Sequence, residues 1–140
     1  MSIVVVGGGI AGLAAAWGLG RARAGAVTLL ERETQLFAHS SGKNAAIYRS
    51  VESPRAVAEL GVRSAALLNE LLGSREAWLL PTGLLLSSRT RAALEPLAAI
   101  STEVGIAHEW IDQHELVSRV PSVTGGHATV ALWIPGGGVL

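Results

Sequence analysis

Residues 2–20 read SIVVVGGGIAGLAAAWGLG, and from Ile3 to Gly20 not one residue carries a charge. Such a run, 18 residues long, sits near the lower limit for a membrane-spanning helix. Two features argue against that reading. Only Met1 and Ser2 precede it, so the positive segment of a secretory signal is missing. Gly7, Gly8 and Gly9 fall in its middle, and each glycine costs a helix about 1 kcal/mol against alanine. The glycines instead divide the run into two grammars. SIVVV is short and β-branched, which predicts a fully buried strand. IAGLAAAWGL is rich in alanine and leucine, which predicts a helix.

Between strand and helix the spacing is Gly7-x-Gly9-x-x-Gly12. The first glycine permits a tight turn, the second lets backbone approach a pyrophosphate, and the third lets the helix pack closely on the sheet. The helix N-terminus then presents N–H groups and partial positive charge to phosphate. A second apolar run, AVTLLE, ends in Glu31, nineteen positions beyond Gly12. An acidic side chain there accepts hydrogen bonds from the ribose hydroxyls of an adenosine. Strand, glycine turn, helix, second strand and terminal acid together predict a dinucleotide site.

The stretch after Glu31 separates the candidate dinucleotides. A nicotinamide fold would continue at once into another helix and parallel strand. Here RETQLFAHSSGKNAAIYRS follows, polar and small, with no helical apolar stripe. Its Gly42-Lys43 pair is not a phosphate-binding P-loop: Phe37 stands where the first glycine is needed, and Asn44 where a magnesium-binding hydroxyl is needed.

The segments VVVGGGIAGLAAAWGLGRARAGAVTLLERE and HSSGKNAAIYR resemble the N-terminus of the D-amino acid oxidase-like, FAD-dependent oxidoreductases. The resemblance implies an α/β fold: a Rossmann-like FAD-binding βαβ unit and flavin-side loop over residues 1–50. Residues 51–140 would continue the cofactor domain and begin a second, substrate-type domain, leaving the sheet incomplete. It implies cofactor positions at Gly7, Gly9, Ile10, Ala11, Gly12, Glu31 and Arg32, and at Ser40, Ser41, Gly42, Lys43, Asn44 and Ala45. Lys43 departs from many relatives, which carry arginine or histidine, so neither subfamily nor mode of flavin attachment is assigned. The implied activity is oxidation of an amine, amino acid or 2-hydroxy acid by hydride transfer to flavin. By the same resemblance Arg49 points toward the reactive face of the flavin and steers a substrate carboxylate. The plain alternative for Arg49 is an ion pair with Glu52 or another acid.

Downstream, ESPRAVAELGVRSAALLNELLG predicts a helix starting at Ser53, with Pro54 in its first turn and Gly73 stopping it. Its apolar positions are Val57, Leu60, Ala65, Leu68, Leu71 and Leu72. WLLPTGLLLSS predicts a strand interrupted by Pro-Thr-Gly, and TRAALEPLAAISTEVG a helix broken by Pro96 unless that proline starts a new turn. AHEWI predicts a strand, DQHELVSRV a short helix capped by Asp112, and ATVALWIP a final strand. Trp78, Trp110 and Trp133 are expected in cores or at an interdomain surface. The chain stops at WIPGGGVL, inside a segment that continues in such relatives, so an N-terminal fragment, or a chain completed by a partner, is expected.

Composition narrows the other classes. At 140 residues there is room for a real core, and 11 basic residues balance 11 acidic ones. No field points to nucleic acid or to an anionic membrane surface. There is no cysteine, hence no disulfide or thiolate site, which fits a reducing compartment such as the cytoplasm. His39, His108, His114 and His127 lack metal-ligand spacing. Two alternatives to an FAD enzyme acting on a small molecule stand beside it: a non-catalytic dinucleotide-binding module or subunit, and an NAD(P)-binding Rossmann protein. The HSSGKN stretch has no obvious role in the latter.

Overall fold

The computed structural model describes residues 1–123 and 126–140, which form two compact units, Met1–Ala45 and Ala46–Leu140. In the first unit, β1 (Ser2–Val6) leads through the glycines to α1 (Ile10–Arg21) and then to β2 (Ala26–Leu30). The strands pair in parallel, from Ser2 opposite Ala26 to Val6 opposite Leu30. Two parallel strands joined by a helix are the predicted βαβ unit. The expectation of a fully buried first strand needs correction. Ile3 and Val5 are half-buried, whereas Val4 is 58% and Val6 81% exposed. The helix covers one face of this two-stranded sheet, and alternate side chains of a strand point to opposite faces. Residues 31–46 hold only turns and a single 3-10 turn, Ser40–Gly42, in keeping with their lack of periodicity.

The second unit is built on an antiparallel sheet. Its β3 is Ile47–Tyr48, followed by α2 (Arg55–Leu72), β4 (Leu84–Ser88), α3 (Glu95–Glu103), β5 (Glu109–Asp112), α4 (Gln113–Arg119), β6 (Val130–Ile134) and β7 (Gly138–Val139). In the three-stranded sheet β6 lies between β4 and β5. That central place makes VALWI the most deeply buried strand. Leu132 and Ile134 meet Val51, Leu94 and Ala98 on one side, while Ala131 meets Ile111 and Leu116 on the other. Trp110 packs against the first group and Trp133 against the second. Trp78 is half-buried, edge-on to Tyr48 with ring centroids 5.4 Å apart, and donates to Asn69 Oδ1.

Three details differ from expectation. The long helix begins at Arg55 instead of Ser53: Pro54 has an extended ψ of 169° and no side chain caps the turn. Its buried face is shifted as well. Val57 and Leu60 are 44% and 61% exposed, and Ala58, Gly61, Ala65 and Leu68 face inward. Small residues decide this, because they admit a close approach: Tyr48 Oη donates to the Gly61 carbonyl at 3.1 Å, and a Cβ on Gly61 would already touch the Ser50 carbonyl oxygen at 3.4 Å. Finally, β6 is not the last strand. After it β7 pairs with β3, and Leu80 bridges to Val139. Asp112 caps as predicted, its Oδ1 accepting from the Glu115 N–H at 2.9 Å. Pro96 lies in the first turn of α3, after a 3-10 turn over Arg91–Ala93, so it opens the helix.

Candidate functional site

The glycine run divides its labour residue by residue. Gly7 has φ +106° with open space where a side chain would stand, so its need is conformational. Gly12 is steric: a Cβ there would overlap the Gly7 carbonyl oxygen, so only glycine lets α1 start this close to the loop. Gly9 occupies the N-cap with extended backbone (ψ 179°) and no side-chain cap, leaving the first N–H groups of the helix for other partners.

One such partner comes from 31 residues away. The N–H of Ile10 donates to Ser41 Oγ at 3.0 Å, which draws the 3-10 turn at Ser40–Gly42 against the helix N-terminus. Asn44 Nδ2 donates to the Ser41 carbonyl at 2.5 Å and the Lys43 N–H to that of Ser40, so the small-residue stretch is folded on itself beside the glycines. Ala11 and Gly12 continue the first turn, and the side chains of Lys43 and Ala45 are exposed. Ser41 joining the helix N-terminus was not legible in the sequence, since no spacing rule relates positions 10 and 41.

Glu31 stands at the end of β2 and is tightly held. Its Oε2 accepts from the Gly8 N–H at 2.5 Å, and its Oε1 from the N–H groups of Arg32 at 2.7 Å and Glu33 at 2.9 Å. The bond from Glu33, then that from Gly8, holds its pKa below the ordinary glutamate value. Oε1 already accepts two N–H groups, whereas Oε2 accepts one and keeps a lone-pair direction, so the anion retains capacity for a ribose hydroxyl. Gly8, an unnamed position in the motif, proves to be the contact: a Cβ there would lie 2.5 Å from Leu36 Cδ2 and 2.9 Å from Glu31 Oε2. The chain also returns over this turn, with the Phe37 N–H donating to the Gly8 carbonyl at 3.2 Å. The Arg32 side chain turns to Glu33 at 2.8 Å, and His39 Nε2 lies 3.1 Å from the same oxygen. Arg32 first, and His39 second, lower the Glu33 pKa.

A helix N-terminus whose glycine loop leaves room for a close approach, with an oriented carboxylate at the next strand end, suits the pyrophosphate and ribose of a dinucleotide. In the second unit, Arg49 Nε lies 2.7 Å from Glu52 Oε1, so the ion pair weighed for it is present. Among the described residues no three His, Asp or Glu side chains are grouped as metal ligands. Among them, too, no helix is long and apolar enough to cross a membrane.

Comparison with known proteins gives this geometry a context. The family described as FAD dependent oxidoreductase (DAO) matches residues 2–140. Among solved structures, L-proline dehydrogenase from P. horikoshii superposes with a TM-score of 0.79 at 24% identity, over 99% of this chain and 37% of that one. Glycine oxidase from Geobacillus kaustophilus follows at 0.70 and 25% identity, over 98% and 40%. L-amino acid deaminase from Proteus vulgaris gives 0.73 at 20% identity, over 99% and 34%. The chain thus spans about two fifths or less of the length of each. No curated protein matches it.

Proposed function

This chain belongs to the FAD-dependent oxidoreductase family, and from that premise we propose that it is the cofactor-holding part of an enzyme that oxidises an amine or amino acid. The observation that carries the cofactor half of this reading is the carboxylate of Glu31, locked by three backbone N–H groups beside the glycine turn. The amino-acid half rests on the named neighbours, which act on proline, glycine and L-amino acids, and it favours that class over 2-hydroxy acids.

Bound FAD supplies the hydride acceptor for such chemistry. The chain's own residues bind and orient it. In this reading Gly7, Gly9 and the N–H groups of Ala11 and Gly12 receive the pyrophosphate, joined by that of Ile10 once Ser41 Oγ gives way, and Glu31, backed by the Arg32 N–H, receives the adenosine ribose. Ser40, Ser41, Gly42, Lys43, Asn44 and Ala45 lie along the pyrophosphate and flavin. Arg49 binds the substrate carboxylate. A guanidinium has five N–H donors, so engagement of Nε by Glu52 is compatible with a forked bond to a second carboxylate.

The test is flavin retention. The purified chain is mixed with FAD, desalted, and its visible spectrum recorded beside that of Glu31→Ala, with circular dichroism as the folding control. Flavin held by the parent and lost from the folded variant is the expected result. A folded parent that retains no flavin, or that prefers NAD, overturns the reading.

A further inference from the structure

The second unit contains a cleft of about 260 Å³ that the cofactor reading does not use. Val62 and Ala65 of α2, with Ile106, form an apolar wall; Tyr48, Ser50 and Arg75 supply the polar groups. No carboxylate is among the lining residues. Arg75 is held in place by donation from Nη2 to the Gly136 carbonyl, and its guanidinium carbon lies 5.6 Å from the ring centroid of Tyr48 and 5.7 Å from that of Trp78. Its neighbour in sequence, Glu76, is exposed; the Ser74 side chain first, its own N–H next and the Arg75 charge after them lower its pKa. Ser50 is only 5% exposed, and its Oγ meets no hydrogen-bond partner. A buried hydroxyl without a partner forfeits its bonds to water, so this orphan calls for an explanation.

A fixed cation, an unpaired hydroxyl and an aliphatic wall in one cleft are complementary to one ligand chemistry. We propose that this cleft binds a small monocarboxylic acid with a short aliphatic tail. Its carboxylate pairs with Arg75 and accepts from Ser50 Oγ, and its tail lies on Val62, Ala65 and Ile106. The site stands apart from the FAD reading and needs no flavin.

The experiment is calorimetric titration of the full chain with butyrate and, at equal ionic strength, with its neutral isostere butyramide. Saturable butyrate binding, with butyramide about tenfold weaker or more, is expected. Arg75→Gln should abolish the preference. Because Arg75 also bonds Gly136, that variant risks misfolding, so Val62→Asp at a solvent-exposed position gives a second reading. The added negative charge should weaken butyrate about tenfold more than butyramide, which loses only the shared apolar contact. No saturable heat with millimolar butyrate, equal binding of the amide, or butyrate affinity untouched in folded Val62→Asp overturns the proposal. Flavin retention is read in a separate experiment, so failure here leaves the cofactor reading standing.

Discussion

At the scale of single residues, Glu31 and Gly12 carry the most. Backbone N–H groups stabilise the ionised form of Glu31, so its folded pKa is depressed and its contribution is present above the ordinary glutamate value of 4.5. That contribution disappears as the pH falls through the folded pKa. Glu31→Gln should therefore lower the urea midpoint near neutral pH, and the gap from the parent should close in an acid series below pH 4.5. A gap that is constant with pH would mean the bonds stabilise geometry and not charge. Gly12→Ala forces a methyl into the Gly7 carbonyl, so the loop or the helix start must move. An off-rotamer escape is not open to a Cβ, and overpacking of this kind costs about 1–3 kcal/mol. The expected readout is a lower midpoint together with loss of flavin retention.

At the scale of elements, the legible parts were those with a local cause. The Asp112 cap sits three residues before the N–H it bonds, so composition and position alone predicted it. Asp112→Ala should cost about 1 kcal/mol, measured by chemical denaturation, with α4 the element that frays. The α2 helix was equally legible as a helix, and Ala65 and Leu68 of its expected stripe face inward, but Val57 and Leu60 are exposed and the packed face is shifted. Leucine and valine mark an apolar stripe by hydrophobicity, whereas the face that packs is the one whose small residues, Ala58, Gly61 and Ala65, let Tyr48 and Ser50 come near. The short strands β3 and β7 escaped for a different reason: two-residue strands have no period to read, and their pairing joins positions about ninety residues apart. In the central strand β6, Leu132 is fully buried against α3 and its surroundings. Leu132→Ala should destabilise by about 2–5 kcal/mol, a loss that a denaturant midpoint will register.

For the molecule as a whole, the chain comprises two compact units, the first with one two-stranded sheet and the second with a two-stranded and a three-stranded sheet. The parallel pair serves the dinucleotide geometry, and the antiparallel sheet holds the larger core. A ligand that binds only the folded state raises stability by mass action, by about 2.7 kcal/mol at a hundredfold excess over its Kd. FAD should accordingly shift the thermal transition upward in a concentration-dependent way in the parent, and not in Glu31→Ala. An equal shift in both would place the flavin elsewhere than beside Glu31.

The sequence by itself determined the βαβ unit, the glycine turn and the acid at the end of its second strand, because each rests on neighbours within one turn or one strand. It also determined the positions of the main helices through their breakers and caps. Tertiary structure alone decided that Ser41 meets the N-terminus of α1, that Gly8 bonds Glu31, and that β6 lies between β4 and β5. It alone gathered Ser50, Arg75 and Tyr48 around one cleft. Those pairings join residues from 18 positions apart, Asp112 and Val130, to 61 apart, Arg75 and Gly136, and nothing in the local pattern of either partner encodes the meeting.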